Sequence, residues 1–281
     1  MRAVILAAGR GSRMGALAED RPKCLVELAH KPLIRRQIAA LRGGGVSTIG
    51  IVRGYLGSAI NIEDATYFEN PRWAETNMVM SLAAAASWLR EGPVIVSYGD
   101  IFYRRELVRG LAGASGQLVI TYDREWRRLW TRRFADPLAD AETFRVDSAG
   151  CLLEIGGKTA RIEDIEGQYM GLLKVTPQAW RAIEALLDSL PAEIGDRLDV
   201  TGLLRRLLER GLAVHTFGTD GQWGEIDNPE DAALYENMVM AGDLVLEDAL
   251  ESRCHTETSP GWPATTPSSG PAMRRRSRRR F

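Results

Sequence analysis

The sequence predicts an α/β fold in which helices cover both faces of a mostly parallel sheet. Short apolar runs alternate with amphipathic stretches over residues 2–123. The apolar runs contain few polar residues, which is typical of strands that are buried on both faces. Two runs end in an aspartate, at Asp100 and Asp123, where open α/β sheets bind ligands. We therefore expect a Rossmann-like α/β/α sandwich with a mixed, mostly parallel central sheet.

The first half of the chain contains the clearest elements. Pro32 near a helix start and glycines at its end delimit the first helix, and Thr76 or Asn77 is a suitable cap for the second. The predicted strands are residues 2–6, 48–52, 94–100 and 117–123, and the predicted helices are residues 31–45, 76–89 and 103–113.

The second half begins with a change of pattern after Asp123. The runs FRVD and CLLEIGG, with SAG between them, predict a hairpin, and QYMGLLKV predicts another strand. Residues 123–175 therefore form a small β-rich subregion that could cover the acceptor as a lid. Further helices are expected at 177–189, at about 200–210 and after Asn228-Pro229, with a strand at 213–218.

Composition divides the chain into a body and a tail. The 281 residues have a formal net charge of −1, but residues 251–281 alone are at +5, which leaves −6 for residues 1–250. The tail is rich in Ser, Thr, Pro and Gly and ends in RRRSRRRF, so we expect it to be disordered. Residues 1–250 are expected to form one catalytic domain, and their acidic balance does not favour a nucleic-acid partner.

The cysteine spacing and the lengths of the apolar runs disfavour several functional classes. The three cysteines are far apart, with no pair at metal-ligand spacing, so neither a disulfide framework nor a zinc site is indicated. No apolar run reaches about 18 residues, so no membrane span is expected. The short apolar start lacks the features of a signal peptide, and a reducing cytoplasm is the expected compartment.

The stretch LAAGRGSRM at residues 6–14 is a glycine turn that directly follows the first strand. Backbone N–H groups approach an anion most closely where side chains are small, so a phosphate site is expected here. A dinucleotide-binding loop would need a third glycine where Met14 stands, and the Walker pattern is absent. Arg13 and Lys23 bring two cations to the turn, which suits a triphosphate; the alternative is a plain turn with surface cations.

Four segments together resemble the sugar-phosphate nucleotidyltransferase superfamily, in its branch of small-acceptor cytidylyltransferases. LAAGRGSRM followed by RPKCLVEL and KPLI is similar to the N-terminal signature of that family. ETNMVMSL resembles its base-pocket helix, YGDI its first metal-binding segment and WGEIDNPED its second. The resemblance covers about residues 1–240 and departs slightly at Cys24, where the family often has proline.

The resemblance implies roles for particular residues. Asp100 and Asp227 would hold Mg²⁺, Lys23 would contact the α-phosphate or the leaving pyrophosphate, and Arg13 the β- and γ-phosphates. Lys158 would hold the acceptor phosphate as a third catalytic cation. The implied nucleotide-binding residues are Leu6, Ala7, Ala8, Gly9, Gly11, Ser12, Arg13, Lys23, Asn77, Ser81 and Gly99.

Simpler interpretations of three of these residues stay open. Asp100 could be an ordinary turn residue, and Asp227 could cap the following helix. Lys158 could be a solvated residue at the end of the hairpin.

The segment 123–142 is unusual because five arginines are interspersed with Trp126 and Trp130. It could be a lid that recognises the acceptor, a nucleic-acid patch, or a structural helix with its tryptophans inward. Since arginines suit anions and repel a quaternary ammonium, we expect an anionic phosphate or phosphonate acceptor. The candidate acceptor-binding residues are Asp123, Trp130, Lys158, Gln168 and Glu225.

The function expected from the sequence is therefore a Mg²⁺-dependent transfer of CMP from CTP to a small phosphate or phosphonate, with release of pyrophosphate. The alternatives are a sugar-1-phosphate nucleotidyltransferase that uses UTP, GTP or dTTP, and a phosphocholine cytidylyltransferase. A regulatory domain without turnover is disfavoured by the presence of Arg13, Lys23, Asp100 and Asp227 together. The sequence does not decide between a monomer and a homodimer.

Overall fold

A seven-stranded sheet lies at the centre of the computed structural model, which describes residues 1–246. Among the described residues, seven strands belong to the central sheet, and six further strands form three two-stranded ladders. The strands are β1 (Arg2–Ala7), β2 (Glu27–Leu28), β3 (Lys31–Pro32), β4 (Thr48–Arg53), β5 (Ala65–Glu69), β6 (Val94–Tyr98), β7 (Ile101–Phe102), β8 (Leu118–Asp123), β9 (Phe144–Val146), β10 (Leu152–Ile155), β11 (Gln168–Val175), β12 (Val214–Thr219) and β13 (Gly224–Glu225).

The strand order of the central sheet is β12-β8-β11-β6-β1-β4-β5. β1 pairs in parallel with β4 on one side and with β6 on the other. From β1 the chain crosses to β4 and β5 on one side, and a later crossover from β5 returns it to β6 on the other side. A crevice opens at the carboxyl end of β1, where these two crossovers diverge. β11 is antiparallel to both β6 and β8, which makes the sheet mixed.

Helices pack on both faces of the sheet and create two apolar cores. Successive side chains of β1 point to opposite faces: Ile5 belongs to one core and Leu6 to the other. The helices are α1 (Leu33–Gly43), α2 (Met78–Ala83), α3 (Ala86–Glu91), α4 (Arg105–Gly113), α5 (Trp126–Arg133), α6 (Pro177–Asp188), α7 (Ala192–Asp196), α8 (Val200–Glu209) and α9 (Pro229–Ala241). The predicted α/β/α sandwich with a mostly parallel mixed sheet is thus confirmed.

Most predicted elements occur within two or three residues of their expected bounds, but residues 76–89 do not form one helix. The chain leaves helical geometry at Ala85, where φ is −96° and ψ is 17°, and the segment becomes α2 and α3. Ala85 is fully buried, so packing against the core decides its conformation. The local preference of its alanine-rich neighbours for one continuous helix is overridden there.

The expected β-rich subregion contains the predicted hairpin. β9 and β10 pair antiparallel, and Gly150 takes a positive φ of 79° in the turn between them. β11, in contrast, joins the central sheet. None of the described helices is long and apolar enough to cross a bilayer. The predicted tail at residues 251–281 lies outside the described residues, so the expected boundary near residue 250 stays a prediction.

Candidate active site

The glycine turn after β1 lies at the point where the two crossovers diverge. Gly11 has a φ of +68°, and a Cβ atom there would lie 2.9 Å from the Lys23 Cβ atom. A side chain at Gly99 would lie 2.6 Å from the Leu6 carbonyl oxygen, so the loop after β6 can approach β1 closely because it begins with glycine. The two glycines together bring Lys23 and the segment around Asp100 next to the end of β1.

A cavity of about 580 Å³ opens beside this turn. Small residues line it near the end of β1, and its charged lining residues are Lys23 and Asp100. Its lining residues are Leu6, Ala7, Ala8, Gly9, Gly11, Lys23, Cys24, Met78, Ser81, Gly99 and Asp100. We call it the nucleotide cavity, because eight of the eleven residues that the sequence assigns to nucleotide binding line it.

Three carboxylates converge at the rim of this cavity. Asp100, Glu225 and Asp227 each offer an oxygen within 4.8 Å of the others, and we call them the acidic triad. Asp100 lies two residues after the end of β6, and Glu225 lies on β13, which pairs with β7. The Ile226 N–H donates to the Asp100 carbonyl oxygen at 3.0 Å, so the backbone holds the two acidic segments together.

Asp227 is free to take part because another residue caps α9. The Asn228 side-chain oxygen accepts the Asp231 N–H at 2.8 Å, and Asn228 is the N-cap. The alternative interpretation of Asp227 as the cap is therefore wrong. The Asp227 carboxylate accepts hydrogen bonds from Lys23 and Arg13 instead.

Lys23 forms the centre of the site. Its ammonium Nζ lies 2.7 Å from Asp100 Oδ2 and 2.6 Å from Asp227 Oδ1. Burial lowers the pKa of Lys23, but the two aspartates outweigh burial and raise the pKa above its ordinary value. Arg13 Nη2 reaches Asp227 Oδ1 at 2.9 Å, while the Arg13 side chain is 69% exposed. Lys23 is thus a fixed cation, and Arg13 is a cation at the mouth of the site.

The charges of the triad are not balanced by these cations alone. Burial, and then the neighbouring Asp227 and Asp100, raise the pKa of Glu225 well above its usual range. Burial also raises the pKa of Asp227, but Lys23 outweighs it and the pKa is lowered overall. Asp100 Oδ1 is buried without a hydrogen-bond partner. Three clustered carboxylates with an unused buried oxygen fit a hard divalent cation such as Mg²⁺, which prefers oxygen ligands.

A second cavity, of about 840 Å³, meets the triad from the other side. It is acidic and aromatic, and we call it the acceptor chamber. Its lining residues are Arg13, Met78, Tyr98, Trp130, Asp140, Glu142, Thr143, Phe144, Ile155, Gln168, Tyr169, Asp199, Val200, Thr201, Glu225 and Asp227. Arg13 is the single cation among them.

The sequence-predicted acceptor residues are distributed unevenly around this chamber. Trp130, Gln168 and Glu225 line it, but Lys158 and Asp123 do not. Lys158 Nζ donates to the carbonyl oxygen of Asp140, a lining residue, at 2.9 Å, so Lys158 lies behind the chamber wall. Asp123 is 1% exposed, and its carboxylate accepts from the Trp223 indole N–H and from two backbone N–H groups. Asp123 therefore does not line the chamber, and its carboxylate is largely engaged inside the fold. Its role as an acceptor contact stays a prediction.

The arginine-rich segment is mainly structural. Trp126 and Trp130 are both 3% exposed, as expected for tryptophans that face inward. Arg124 pairs with Asp220, and Arg132 pairs with Asp243, both away from the chamber. The premise of an arginine cluster beside the acceptor is thus contradicted: none of the five arginines lines the chamber.

Three of the eleven predicted nucleotide contacts do not line the nucleotide cavity. Arg13 lines the acceptor chamber instead. Asn77 caps α2, and its amide donates to the Arg197 carbonyl oxygen at 3.2 Å, so its side chain is engaged within the fold. Ser12 is exposed and does not line either cavity. Conversely, sequence reasoning missed Met78, which lines both cavities, and it assigned Glu225 to the acceptor rather than to the triad. The neighbouring segment WGEID was the available signal for Glu225.

The chain is similar in sequence to known nucleotidyltransferases. The model of the MobA-like NTP transferase domain matches residues 3–193. The CTP:phosphoglutamine cytidylyltransferase of Campylobacter jejuni is 35% identical over 243 residues, which are 81% of this chain and 96% of that protein. The CMP-5'-(3-aminopropyl)phosphonate synthase of Streptomyces rubellomurinus is 29% identical over 249 residues, covering 82% of this chain and 37% of that protein.

A solved structure supports the fold. The inositol-1-phosphate CTP transferase from T. maritima superposes with a TM-score of 0.67 at 18% identity, covering 85% of this chain and 94% of that one. At this identity the likeness concerns the arrangement of helices and strands alone.

Proposed function

The chain belongs to the MobA-like NTP transferase family, and we propose that it moves the cytidylyl group of CTP to a small acceptor that contains a phosphate or phosphonate. Pyrophosphate is the second product. The observation that supports this best is the meeting of two cavities at one acidic triad. Lys23 and Asp100 line the nucleotide cavity, whereas Asp227 and Glu225 line the acceptor chamber. A phosphorus atom at the triad is accessible from both sides.

The reaction transfers the α-phosphorus of CTP, with its cytidine, from the oxygen of pyrophosphate to an oxygen of the acceptor. An oxyanion of the acceptor attacks the α-phosphorus of CTP, a new P–O bond forms, and the bond to the β-phosphate oxygen breaks with its electron pair leaving on pyrophosphate. We propose that Lys23 contacts the α-phosphate and that Arg13 contacts the outer phosphates. A divalent cation held by the triad would supply further positive charge against the phosphate oxygens. Mg²⁺ is the proposed ion.

The chamber favours an acceptor whose far end is positively charged. Away from the triad, its wall includes Asp140, Glu142 and Asp199, together with aromatic rings. Asp140 accepts the Trp130 indole N–H and Asp199 caps α8, so Glu142 is the carboxylate most available to a ligand. Burial raises the pKa of Glu142 even though Lys158 and Arg205 lie near enough to lower it, so this carboxylate would gain from a further cationic partner. An acceptor with an ammonium or amino group opposite its phosphate satisfies both ends of the chamber. The expected anionic acceptor is revised accordingly to a phosphate or phosphonate that also contains a cationic nitrogen.

The experiment is a matrix of nucleotides and acceptors, measured by pyrophosphate release with Mg²⁺. CTP, UTP, GTP and dTTP are each paired with 2-aminoethylphosphonate, phosphocholine, methylphosphonate and glucose 1-phosphate. We expect turnover with CTP, and at least tenfold higher kcat/KM for the two nitrogen-containing acceptors than for methylphosphonate. Turnover of glucose 1-phosphate with UTP, GTP or dTTP alone would support the sugar-nucleotide alternative instead.

The chamber carboxylates provide the matched variant. Glu142→Gln keeps the shape of the side chain and removes its charge, so it should raise KM for 2-aminoethylphosphonate without changing KM for CTP. Glu154, which is exposed on the hairpin outside the chamber, offers Glu154→Gln as the control. Equal effects of the two substitutions would contradict an electrostatic role of the chamber.

A further inference from the structure

Arg133 differs from the other arginines of α5 because its charge is buried. Its side chain is 1% exposed, whereas that of Arg132 next to it is 34% exposed. Burying a guanidinium is costly unless it is paired and hydrogen-bonded. The rings of Trp130 and Phe134 lie 5.2 Å and 5.0 Å from the Arg133 guanidinium carbon and enclose it. Such an enclosed cation requires a specific carboxylate partner.

That partner is Asp231 on α9, and it leads directly to the triad. Arg133 Nε donates to Asp231 Oδ1 and Arg133 Nη2 donates to Asp231 Oδ2, each at 2.9 Å, which makes a bidentate ion pair. The same Asp231 Oδ2 accepts the backbone N–H of Asp227 at 2.9 Å. The guanidinium thus fixes the carboxylate that fixes the backbone of Asp227.

Arg133 also lies close to two members of the triad itself. Its Nη2 is 3.9 Å from Asp227 Oδ2, and its Nη1 is 3.9 Å from Glu225 Oε2. Nη1 is buried and has no hydrogen-bond partner. These distances are too long for hydrogen bonds but short enough for attraction through a poorly solvated region. The Arg133 guanidinium therefore offsets the repulsion between the Asp227 and Glu225 carboxylates without forming a direct hydrogen bond to either of them.

We propose that Arg133 is a positioning residue that orients Asp227 and Glu225 for a divalent cation. This proposal rests on the proposed metal role of the triad. It also assigns the arginine-rich helix a function beyond packing: α5 contributes one buried cation to the site from behind, while its remaining arginines face outward. Arg133 lines neither cavity, so it acts through its ion pair with Asp231 and through its positive charge.

Metal binding by the full-length protein tests the proposal without relying on turnover. Mn²⁺ is titrated in the absence of nucleotide, and free ion is measured by electron paramagnetic resonance. Arg133→Gln should weaken Mn²⁺ binding at least tenfold, and Arg133→Lys should weaken it less, because lysine restores the charge but not the bidentate geometry. Arg132→Gln removes a neighbouring exposed cation with its own partner and should leave Mn²⁺ binding within twofold of the unchanged protein.

Asp231→Asn provides a second route, since it nearly preserves the side-chain shape while removing the charge. It should weaken Mn²⁺ binding in the same direction as Arg133→Gln, with circular dichroism confirming that the fold is retained. Wild-type Mn²⁺ affinity in a folded Arg133→Gln protein would overturn the proposal, and so would loss of folding in both variants, because the pair would then be purely structural. Asp227→Asn distinguishes failure of the proposed metal site from failure of the proposed role of Arg133. Unchanged Mn²⁺ affinity in Asp227→Asn would refute the metal site itself.

Discussion

Asp100 combines a buried oxygen without a partner and an ion pair to Lys23. We predict that Asp100→Asn lowers kcat at least about 100-fold, because an amide is a poor ligand for a hard cation and leaves Lys23 with one carboxylate partner. The measurement is pyrophosphate release over a range of Mg²⁺ concentrations.

The matched control is Asp188→Asn, an exposed aspartate at the end of α6. It should leave kcat unchanged, and both variants should retain the circular dichroism spectrum. Full activity of Asp100→Asn would show that this carboxylate is a turn residue, as the simpler interpretation of the sequence allows.

Cys24 gives a prediction of pH dependence. It is 2% exposed, and burial raises the pKa of its thiol to about 12. In the unfolded chain a thiol titrates near pH 8.5. Below that pH the thiol is neutral in both states; above it, only the unfolded state gains the charge, so stability is lost as pH rises towards 12. Between pH 8 and pH 10 this group should lower the free energy of unfolding by about 2 kcal/mol.

Urea denaturation at the two pH values measures this loss in the wild type and in Cys24→Ala. The wild type should lose more stability than Cys24→Ala, which lacks the titrating thiol. Cys151→Ala, at a partly exposed thiol, serves as the comparison and should resemble the wild type. A loss in Cys24→Ala as large as in the wild type would contradict the assignment to Cys24.

At the scale of residues, the roles that depend on local neighbours could be predicted from the sequence. Lys23 and the glycines of the first turn could be placed together because they follow one strand within a short stretch. Glu225 could not be placed in the triad, because its position depends on the pairing of β13 with β7, far away in the chain. Likewise, the direction in which each α5 arginine points depends on partners such as Asp231 and Asp243 that lie on or after α9.

At the scale of elements, α2 shows how a cap and a ligand contact can be confused in a sequence. Asn77 accepts the Met78 N–H and donates to the Arg197 carbonyl oxygen, so it ties α2 to the segment before α8. We predict that Asn77→Ala lowers the free energy of unfolding by about 1 kcal/mol. The ratio of kcat/KM for CTP over UTP should stay unchanged, because the amide is already engaged within the fold.

Ser81 is the matched comparison on the same helix. It lines the nucleotide cavity, and its hydroxyl accepts from the Asn70 amide at 3.0 Å. Ser81→Ala should therefore raise KM for CTP more than Asn77→Ala does. A collapse of the CTP preference in Asn77→Ala, with stability unchanged, would restore the residue to the base pocket.

The elements that were predicted well are those whose signals are local. The buried parallel strands appear as continuous apolar runs, and α9 begins where Asn228, Pro229 and two acids predict a helix start. The division between α2 and α3 could not be predicted, because a buried alanine gives no local sign of a break. Its conformation follows from packing against the second core.

For the whole molecule, the important property is that one acidic site joins two cavities through elements from both ends of the described chain. Lys23 comes from the N-terminal part and Asp227 from the C-terminal part, and they meet at 2.6 Å. The sequence predicted this meeting because both segments resemble parts of one family signature. It could not predict the acidity of the acceptor chamber, because the carboxylates that line it come from separate loops and from the start of α8.

The distribution of charge leads to a last prediction, on the arginine-rich tail. Within the described residues, 1–246, the chain supplies two cores and both cavities of the site, and Leu244 and Leu246 are buried in the first core. A truncation after residue 250 removes a segment of net charge +5 and keeps every residue of the proposed site. We therefore expect kcat and KM for CTP within twofold of the full chain, and an unfolding free energy within about 0.5 kcal/mol. The control replaces the six arginines at 274–276 and 278–280 with serine in the full-length chain, which separates the effect of charge from that of length. A tenfold fall in kcat/KM for either protein would contradict an independent domain and would make the tail part of the catalytic machinery.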